Sequence, residues 1–398
     1  MAESVGKREP ERCDCRIQFT PGESDIEIKL ASKVAALYGR KIEAQVRDNL
    51  KTMGVSRGVL TIDDAGALPY VISARLETAV LRSGIRITAP VVPPGTEKSG
   101  SSPRNRLRRT RLYVPGNQPR LHVNAGLHHP DGIILDLEDS VAPAEKDAAR
   151  ILVRNALRSI DFMGAERMVR INQLPMGLED LEWIIPYGVQ MILIPKCELA
   201  EQIREVEAKI QNLNPGHTIW LMPVIESALG CFHALEIALA SDQVAALTIG
   251  LEDYTADLGV QCTAKGEESL WARNVIVNAA RAARLQPIDS VYSDVADTDG
   301  LIQSAKRARA LGFEGKGCIH PSQIQAIHYV FAPSEAEIKK ACEIILAYEN
   351  AKSEGLGVTA LGSKMIDAPV VKRARTLVQR ARTLGVISGR WRAQFKNR

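Results

Sequence analysis

Acidic and basic side chains repeatedly follow short apolar runs in the second part of the sequence. The clearest example is GIILDLED, residues 132–139, where an apolar run ends in two adjacent carboxylates. If such runs are the parallel strands of one barrel, their carboxyl ends converge on a single face. The side chains at these ends are then neighbours: Glu138, Asp139, Arg170, Asn172, Lys196, Glu226, Glu252, Asp253, Asp294 and His320.

Carboxylates gathered in this number beside one arginine and one lysine must share protons or hold a cation. The candidate ligands are oxygen atoms, with no His-x-x-His or cysteine pair among them, so the pattern favours Mg²⁺. A Mg²⁺ ion with open positions can chelate a 2-hydroxy or 2-oxo acid and act as a Lewis acid on its oxygen. Arg170 could hold a remaining carboxylate in a bidentate grip. This chemistry suits cleavage or formation of a carbon–carbon bond beside a hydroxyl group.

Eight apolar runs separated by helix-like segments predict the elements that position these side chains. The runs lie at residues 111–117, 132–139, 167–172, 191–196, 218–227, 246–253, 288–294 and 315–323. This order is typical of an α/β fold of the (β/α)8 TIM barrel type. An open doubly wound sheet is the alternative, but no G-x-G-x-x-G turn follows a strand. We assign residues 109–330 to the barrel and 331–398 to a C-terminal helical lid segment.

The N-terminal part of the chain, residues 1–87, is predicted to form a small α+β domain. Two alternating strands precede an amphipathic helix at 31–53, and residues 57–84 are expected to form strand, turn, strand and helix. This domain has no metal-ligand cluster and no phosphate loop, so we expect docking or carrying rather than chemistry. Residues 88–108 predict a linker, semi-rigid where it is rich in proline and flexible afterwards.

The composition is that of an ordinary globular protein, with 45% hydrophobic residues, 25% charged residues and a net charge of +4 over 398 residues. No apolar stretch is long enough to span a membrane, and the N-terminus has no apolar signal segment. Seven scattered cysteines predict neither a disulfide framework nor a zinc site, so we expect a cytoplasmic protein. The arginines within residues 104–111 lack interleaved aromatic residues, so nucleic acid is not an expected partner.

Seven motifs resemble, in order, the citrate lyase beta-subunit and malyl-CoA/citramalyl-CoA lyase family. They span roughly residues 106–385 and read RRTRLYVPGN, ILDLEDSVAPAEKDAAR, VRIN, PVIESALG, GLEDYTADLG, CIHPSQ and GSKMIDAPVVKRA. The resemblance implies a Mg²⁺-dependent lyase whose substrate is a 3-hydroxy-3-carboxyacyl thioester of coenzyme A (CoA), of the citryl, citramalyl or malyl type. Retro-Claisen cleavage would yield an acetyl or propionyl thioester and a 2-oxo acid.

The resemblance also implies roles for individual acids and for one arginine. Glu226 and Asp253 match the metal ligands, and Arg170 matches the group that grips a substrate carboxylate. Glu138 and Asp139 match acids that order the water molecules of the metal. A magnesium site built on these five residues is therefore what the resemblance implies.

Four further residues are expected to serve the thioester or the proton transfer. Arg109, in RRT, matches a contact to the thioester cofactor. Lys196 and His320 are expected near the thioester cofactor. Lys196 would neutralise the acids, and His320 would be either a hydrogen-bond partner or a base. Asp367, in MIDAP, matches an acid that the family's C-terminal segment delivers into a neighbouring subunit's site. The resemblance therefore implies a homo-oligomer, a trimer or a hexamer built as a dimer of trimers.

The N-terminal residues, roughly 11–83, resemble the acyl carrier (gamma) subunit of citrate lyase, on the segments DIEIKLASKVAALYGRKIEAQVRDNL and GVSRGVLTIDDAGALPYVISARLE. In that family a serine just before the first strand carries a phosphoribosyl-dephospho-CoA arm. The matching position here is about Pro10, and Ser4 is the only serine upstream. The departure favours a domain without an arm that serves docking or assembly, with free acyl-CoA as substrate. An arm on Ser4 is the alternative.

Two other functions remain open from the sequence. A 2-oxo-3-deoxy acid aldolase, which uses pyruvate enolate without a thioester, shares the barrel, but the MIDAP segment and the RRT arginine favour the thioester. A non-catalytic carrier or scaffold subunit of a citrate lyase complex would be expected to have a damaged site, yet every expected acid is present. The product 2-oxo acid, whether oxaloacetate, pyruvate or glyoxylate, depends on loop shape and is not predicted.

Overall fold

The computed structural model of the protein describes residues 5–6, 12–95, 100–213, 216–353, 358–361 and 364–392. The chain divides into two compact units, Met1–Ile327 and His328–Arg398. The first unit holds both the N-terminal α+β domain and the barrel. The second unit holds the C-terminal helices. Within the described ranges, no helix has the length and apolar character needed to cross a membrane.

The N-terminal α+β domain is a three-stranded sheet with two helices. Its elements are β1 (Cys15–Asp25), β2 (Glu27–Ser32), α1 (Ala35–Met53), β3 (Arg57–Asp64) and α2 (Pro69–Arg82). The central strand β3 pairs antiparallel with β1 and parallel with β2. Alternating apolar residues such as Ile17 and Phe19 point into the core, as the period of two predicts. The expected strand at PYVIS is wrong: Pro69 begins α2, because proline is well suited to the first turn of a helix.

Eight parallel strands close the barrel in chain order, each paired with the next and the last with the first. They are β4 (Thr110–Pro115), β5 (Gly132–Asp136), β6 (Glu166–Arg170), β7 (Met191–Ile194), β8 (Trp220–Ile225), β9 (Ala246–Ile249), β10 (Gln286–Asp289) and β11 (Gly315–Cys318). Each begins within two residues of a predicted apolar run. The predicted fold class, a (β/α)8 barrel after a small α+β domain, is confirmed.

Helices follow the strands and cover the outside of the barrel. They are α3 (Pro119–Asn124), α4 (Lys146–Ser159), α5 (Met176–Ile184), α6 (Ala200–Leu213), α7 (Ala228–Phe232), α8 (Ala234–Ala238), α9 (Leu251–Asp257), α10 (Leu270–Ala282), α11 (Thr298–Leu311) and α12 (Gln323–Phe331). Inside the barrel, apolar side chains such as Ile134, Met168 and Leu193 pack into one cluster. The side chains that follow the strands are delivered to the carboxyl end of the barrel, beyond this packed interior.

Residues 100–108 pack against the amino end of the barrel and are not the flexible linker that the sequence predicts. Arg108 is buried and holds Glu166 at the start of β6 in two hydrogen bonds of 2.7 and 2.8 Å. The indole of Trp220, at the start of β8, donates to the carbonyl of Ser102 at 2.6 Å. Because these contacts involve strand ends far apart in sequence, the segment helps to close the lower side of the barrel.

The α+β domain is docked on α4 of the barrel through buried charges. Glu77 on α2 accepts two hydrogen bonds from Arg154 on α4, at 2.9 and 2.7 Å, and both side chains are buried. Arg75 on α2 pairs with Asp14 and also donates to the carbonyl of Asn117 at 3.2 Å, just after β4. A buried charge that loses its partner is costly, so these contacts hold the domain firmly in place.

The second unit is built from two helices and a β-hairpin. Its elements after α12 are α13 (Glu335–Ser353), β12 (Thr359–Leu361), β13 (Lys364–Ile366) and α14 (Ala368–Thr383). Apolar side chains of α13 and α14 form its core, with Trp391 packed against them. Strands β12 and β13 pair antiparallel with Thr359 opposite Ile366, so a short β-hairpin precedes Asp367. The limits predicted for the domains and the linker stay predictions.

Candidate active site

A cavity of about 440 Å³ opens at the carboxyl end of the barrel. We call it the mouth cavity; its charged lining includes Arg111, Asp136, Asp139, Arg170, Glu226 and Asp253. Each of these side chains is at, or just after, a strand, as the convergence of parallel strands requires. The mouth cavity therefore brings together four charged residues that the sequence analysis selected, Asp139, Arg170, Glu226 and Asp253.

Arg170, at the end of β6, is the centre of an ionic network. Its Nε and Nη2 each donate to a carboxylate oxygen of Asp136 at 2.7 Å, and its Nη1 lies 2.9 Å from Glu138 and 3.5 Å from Asp139. The guanidinium also stacks on the ring of Tyr113, 5.3 Å from its centroid. Against the effect of burial, the bonds from Arg170 hold the pKa of Asp136 below its usual range.

This network corrects one expectation for Arg170. The edge of the guanidinium that would grip a substrate carboxylate with two bonds is already engaged by Asp136. Asp136 is a site residue that the sequence analysis missed. The signal was present, because Asp136 is two residues before Glu138 and so faces the same side of β5. Its register partner across the sheet is Arg170.

Glu138 and Asp139 differ in their environments although they are adjacent. Glu138 is buried and accepts a hydrogen bond from the Gln173 amide at 3.0 Å, in addition to its ion pair with Arg170. Burial raises its pKa, with Arg170 acting in the opposite direction. Asp139 has a side chain that is 55% exposed, and it lines the mouth cavity. Only Asp139 of the two is therefore open to molecules that enter the cavity.

Glu226 follows β8 and is buried at the wall of the mouth cavity. One carboxylate oxygen accepts a hydrogen bond from the backbone N–H of Lys196 at 2.7 Å. Burial raises the pKa of Glu226 to about 7, and the negative charges of Asp253 and Glu138 add to the rise. Gly250 makes room for it, because a Cβ atom there would lie 2.4 Å from the second carboxylate oxygen. The chain thus holds a carboxyl group in a place where a cation would stabilise its charge.

Asp253 and Lys196 complete this side of the cavity. Asp253 is in the first turn of α9 rather than on a strand, because the helix begins at Leu251 directly after Gly250. The ammonium of Lys196 lies 3.5 Å from the Asp253 carboxylate, and both side chains are about 40% exposed. Lys196 has a left-handed backbone, with φ +45°, which a residue other than glycine rarely adopts without a reason in its surroundings. That backbone directs its N–H at Glu226.

The two carboxylates fit a hard divalent cation. They offer oxygen ligands at the wall of one cavity, the kind of ligand that such a cation prefers. Among the residues that the structure describes, no group of three or more His, Cys, Asp or Glu side chains could hold a metal alone. A Mg²⁺ ion does not need one, since it binds through one or two carboxylates and keeps waters or substrate oxygens in its other positions.

Two predicted site residues, Arg109 and His320, are not part of the lining of the mouth cavity. Arg109 precedes β4, at the amino end of the barrel, where it pairs with Asp131 at 2.8 Å. The contact of Arg109 with the thioester cofactor that the resemblance implies stays a prediction. His320 is exposed, bonds to Ser322 at 2.8 Å and is absent from the cavity lining. Asp367 is in the second unit, where its carboxylate caps α14 by accepting from the Val370 N–H at 3.1 Å.

The other polar residues predicted at the strand ends, Asn172, Glu252 and Asp294, form hydrogen bonds with neighbouring groups. Asn172 is buried and donates to Asp180 at 2.8 Å. Glu252 accepts a hydrogen bond from Ser293 at 2.8 Å at the edge of the mouth cavity. Asp294 accepts from backbone N–H groups of its own loop, the nearer at 2.9 Å. These residues shape the loops that surround the cavity.

Two family models match the chain. The model described as HpcH/HpaI aldolase/citrate lyase matches residues 109–321, which is more than half of the chain and includes all eight barrel strands. An acyl carrier protein model described as malonate decarboxylase delta subunit (MdcD) matches residues 10–83. The resemblance stated from the motifs is confirmed for the barrel, and the acyl-carrier likeness is confirmed for the N-terminal domain.

Curated relatives and solved structures agree with these matches. The citrate lyase subunit beta of Leuconostoc mesenteroides subsp. cremoris is 41% identical over 69% of this chain and 94% of its own. The L-malyl-CoA/beta-methylmalyl-CoA lyase of Rhodobacter capsulatus is 33% identical over 69% of this chain and 95% of its own. The crystal structure of CitE from Mycobacterium tuberculosis in complex with magnesium, acetoacetate and coenzyme A has 32% identity and a TM-score of 0.59, over 70% of this chain and 99% of that chain. The chain belongs to the HpcH/HpaI aldolase/citrate lyase family and is a carbon–carbon lyase.

Proposed function

We propose that this protein is a Mg²⁺-dependent lyase that cleaves a 3-hydroxy-3-carboxyacyl thioester of CoA. The products are an acetyl or propionyl thioester and a 2-oxo acid. The observation that carries the proposal is the pair of carboxylates, Glu226 and Asp253, at one cavity at the carboxyl end of the barrel. Relatives named citrate lyase subunit beta and L-malyl-CoA/beta-methylmalyl-CoA lyase support the substrate class.

Glu226 and Asp253 are the residues that would hold the metal ion. When bound there, Mg²⁺ supplies a Lewis acid for the substrate carboxylate and the oxygen next to it. The CitE structure with magnesium, acetoacetate and coenzyme A supports this choice of ion. Lys196, whose ammonium lies 3.5 Å from Asp253, balances the negative charge at the rim of the site. No covalent role is needed for it.

Arg170 acts as a positioning residue in this proposal. Asp136 fixes its guanidinium, and Nη1 is left to hold Glu138 and Asp139. These two carboxylates can then order water molecules at the edge of the metal site. A rigid guanidinium with two bonds to one partner loses little freedom when substrate binds, which favours an accurately placed site.

Cleavage requires two proton movements at defined atoms. The bond between the hydroxyl-bearing carbon and the carbon next to the thioester breaks. The hydroxyl oxygen becomes the 2-oxo group and passes its proton to a water molecule ordered by Glu138 and Asp139. The thioester leaves as an enolate, whose carbon must then take up a proton. We assign this last step to Asp367 of a neighbouring subunit. Its place at the start of α14, in a compact unit separate from the unit that holds the barrel, supports a segment that can serve another subunit.

A homo-oligomer, a trimer or a dimer of trimers, is part of the proposal. It is supported by large apolar side chains that are exposed together on α7, α8 and α10: Leu229, Phe232, Leu235, Leu239, Leu270 and Trp271. The rings of Phe232 and Trp271 are in contact, with centroids 5.4 Å apart. Apolar patches of this kind are typical of surfaces that other protein chains cover.

The N-terminal domain is proposed to serve assembly rather than to carry an arm. The docked position, fixed by Glu77 and Arg154, supports a domain that does not swing between sites. Ser4, the alternative attachment point, lies outside the described residues. Intact-mass measurement of protein from its native host tests this: the unmodified mass supports the proposal, and a phosphoribosyl-dephospho-CoA adduct contradicts it. A cytoplasmic location is also proposed, with seven unpaired cysteines in its support.

A panel assay tests the proposed function. Citryl-CoA, citramalyl-CoA and malyl-CoA are each incubated with the full-length protein, with Mg²⁺ or with excess chelator. We expect acetyl-CoA and one 2-oxo acid from at least one thioester, in the presence of Mg²⁺ only. Aldol cleavage of a 2-oxo-3-deoxy acid with no reaction of any thioester would instead favour the aldolase.

Subunit mixing tests the role of Asp367. Asp367→Ala and Asp253→Ala are each expected to be inactive, because one lacks the proton donor and the other a metal ligand. Mixed under conditions of subunit exchange, they should regain activity at sites that combine an intact metal centre with an intact neighbouring tail. If exchange is verified by mass and no activity returns, the shared site is wrong.

A further inference from the structure

Arg111 is a buried arginine at the floor of the mouth cavity. It is the second residue of β4, and the register places it beside Gly317 of β11, which has no side chain to cover it. Tyr113, two residues later, faces the same side of the strand and lies above it. The guanidinium extends across the barrel interior as far as Met222 on β8 and Thr248 on β9.

Arg111 is charged, but its hydrogen-bond acceptors are all uncharged groups. Nη1 contacts the thioether sulfur of Met222 at 3.0 Å and the hydroxyl of Thr248 at 3.5 Å, and Nη2 contacts the carbonyl oxygen of Asp289 at 3.3 Å. Nε has no hydrogen-bond partner although it is buried. A thioether is a weak acceptor, and burying a charge without a counter-charge is costly. Consistent with this, burial lowers the pKa of Arg111.

Other arginines that are equally buried in this chain each hold a carboxylate. Arg75 pairs with Asp14 at 2.9 and 3.0 Å, Arg108 with Glu166 at 2.7 and 2.8 Å, and Arg154 with Glu77 at 2.7 and 2.9 Å.. Within the described part of the chain, Arg111 forms no such pair.

Asp289 and Asp136, two acids that line the same cavity as Arg111, are already engaged. The Asp289 carboxylate is held by Arg273 at 2.9 and 3.1 Å and by Lys316 at 2.8 Å. Asp136 is held by Arg170. The chain therefore leaves one buried positive charge at the floor of the cavity whose partner has to come from outside the protein.

We propose that Arg111 binds a second carboxylate of the substrate, one that belongs to the 2-oxo acid half. The inference rests on the proposed function, since it assumes that the first substrate carboxylate would be held by a Mg²⁺ ion at Glu226 and Asp253. The CoA group is long and must extend out of the barrel, so the short half of the substrate points towards the floor. Tyr113 lines the same cavity as Arg111 and Glu226 and is close enough to feel the charge of both. The preferred 2-oxo acid is then a dicarboxylate, and Arg111 determines that preference.

Ligand binding tests the inference without requiring turnover. Oxaloacetate and pyruvate share a 2-oxo acid end and differ in a second carboxylate, and their binding to the full-length protein with Mg²⁺ is measured by calorimetry. We expect oxaloacetate to bind more tightly by about 10- to 100-fold, the range of a charge-assisted hydrogen bond. Arg111→Met, which keeps the length of the side chain and removes its charge, should abolish the difference. Arg111→Lys, the matched control, should keep part of it.

A stability measurement separates this role from a structural one. Arg111→Met should leave the unfolding temperature of the ligand-free protein unchanged or higher, because it removes an uncompensated buried charge. Equal binding of the two acids by the wild type, or a preference that survives in Arg111→Met, would overturn the inference.

The two experiments distinguish a failure of this inference from a failure of the proposed function. If no thioester is cleaved but the preference for oxaloacetate depends on Arg111, the inference stands and the proposed reaction fails. If thioesters are cleaved and no preference for the dicarboxylate is seen, the inference alone fails.

Discussion

Asp136 and Arg170 face each other as register partners on β5 and β6, joined by two hydrogen bonds of 2.7 Å. The pair fixes the one guanidinium that also contacts Glu138 and Asp139, so it sets the geometry of the acidic side of the cavity. An arginine held in this way orients its neighbours and does not itself have to move during the reaction.

We predict that Arg170→Lys lowers kcat/KM by roughly 10- to 100-fold, because an ammonium cannot make the paired bonds to Asp136 and reach Glu138 at the same time. Steady-state kinetics with the preferred thioester provides the measurement. Lys209→Arg is the control, because it exchanges the same two residue types at an exposed ion pair with Glu182. It should leave kcat/KM almost unchanged. An unchanged kcat/KM in Arg170→Lys would contradict a positioning role.

Gly250→Ala is predicted to impair metal binding without unfolding the barrel. The backbone of Gly250 has φ −105°, which alanine adopts freely, but the new Cβ would lie 2.4 Å from Glu226 Oε2. The carboxylate must therefore move. Calorimetric titration with Mg²⁺ is expected to show weakened binding. Gly100→Ala, where a Cβ would meet nothing within 4 Å, is the control. Wild-type affinity in Gly250→Ala would show that Glu226 is not held where the account requires.

The sequence predicted the strands more accurately than the contacts between their ends. Apolar runs such as MILI and WLMPVI are long enough to define strands β7 and β8 within two residues. Arg109 shows what apolar runs do not report, because it lies just before β4 and its pairing with Asp131 depends on a side-chain contact at the amino end of the barrel. The bond of Asp136 to Arg170 could not be predicted either, since it depends on the register of two strands separated by a helix.

Glu77→Ala is predicted to lower the free energy of unfolding by about 3–5 kcal/mol, because it leaves Arg154 buried without its partner. Urea unfolding provides the measurement. Asp147→Ala breaks the pair of Arg82 with a half-exposed carboxylate and should cost about 1 kcal/mol or less. In the double variant Glu77→Leu, Arg154→Met, much of the loss should be recovered. A negligible effect of Glu77→Ala would mean that the α+β domain is not fixed through this pair.

His122 on α3 is predicted to make the free energy of unfolding depend on pH in the acidic range. Its Nε2 bonds to the carbonyl of Pro115 at 2.9 Å while Nδ1 is buried without a partner, and burial lowers its pKa to about 4. The unfolded chain, with the ordinary pKa of 6.5, binds a proton that the folded state does not, so stability falls as pH drops from about 7 to 4. The contribution of His122 to this loss of stability should reach about 3 kcal/mol in the wild type. In His122→Gln the total loss should be smaller by the same amount. Unfolding across this pH range measures it. The exposed His128→Gln should retain the full loss, and an equal loss in both variants would contradict the assignment.

The central claim is that Glu226 and Asp253 hold a catalytic Mg²⁺ ion, and direct titration of Mg²⁺ into the protein tests it. The wild type should show one site per chain, and Glu226→Gln and Asp253→Asn should each lose binding and thioester cleavage together while keeping the far-ultraviolet circular dichroism of the wild type. Asn and Gln preserve the shape of the side chains, so the loss would report on charge and ligation alone. Full Mg²⁺ affinity and full activity in the Glu226→Gln, Asp253→Asn double variant would contradict the account.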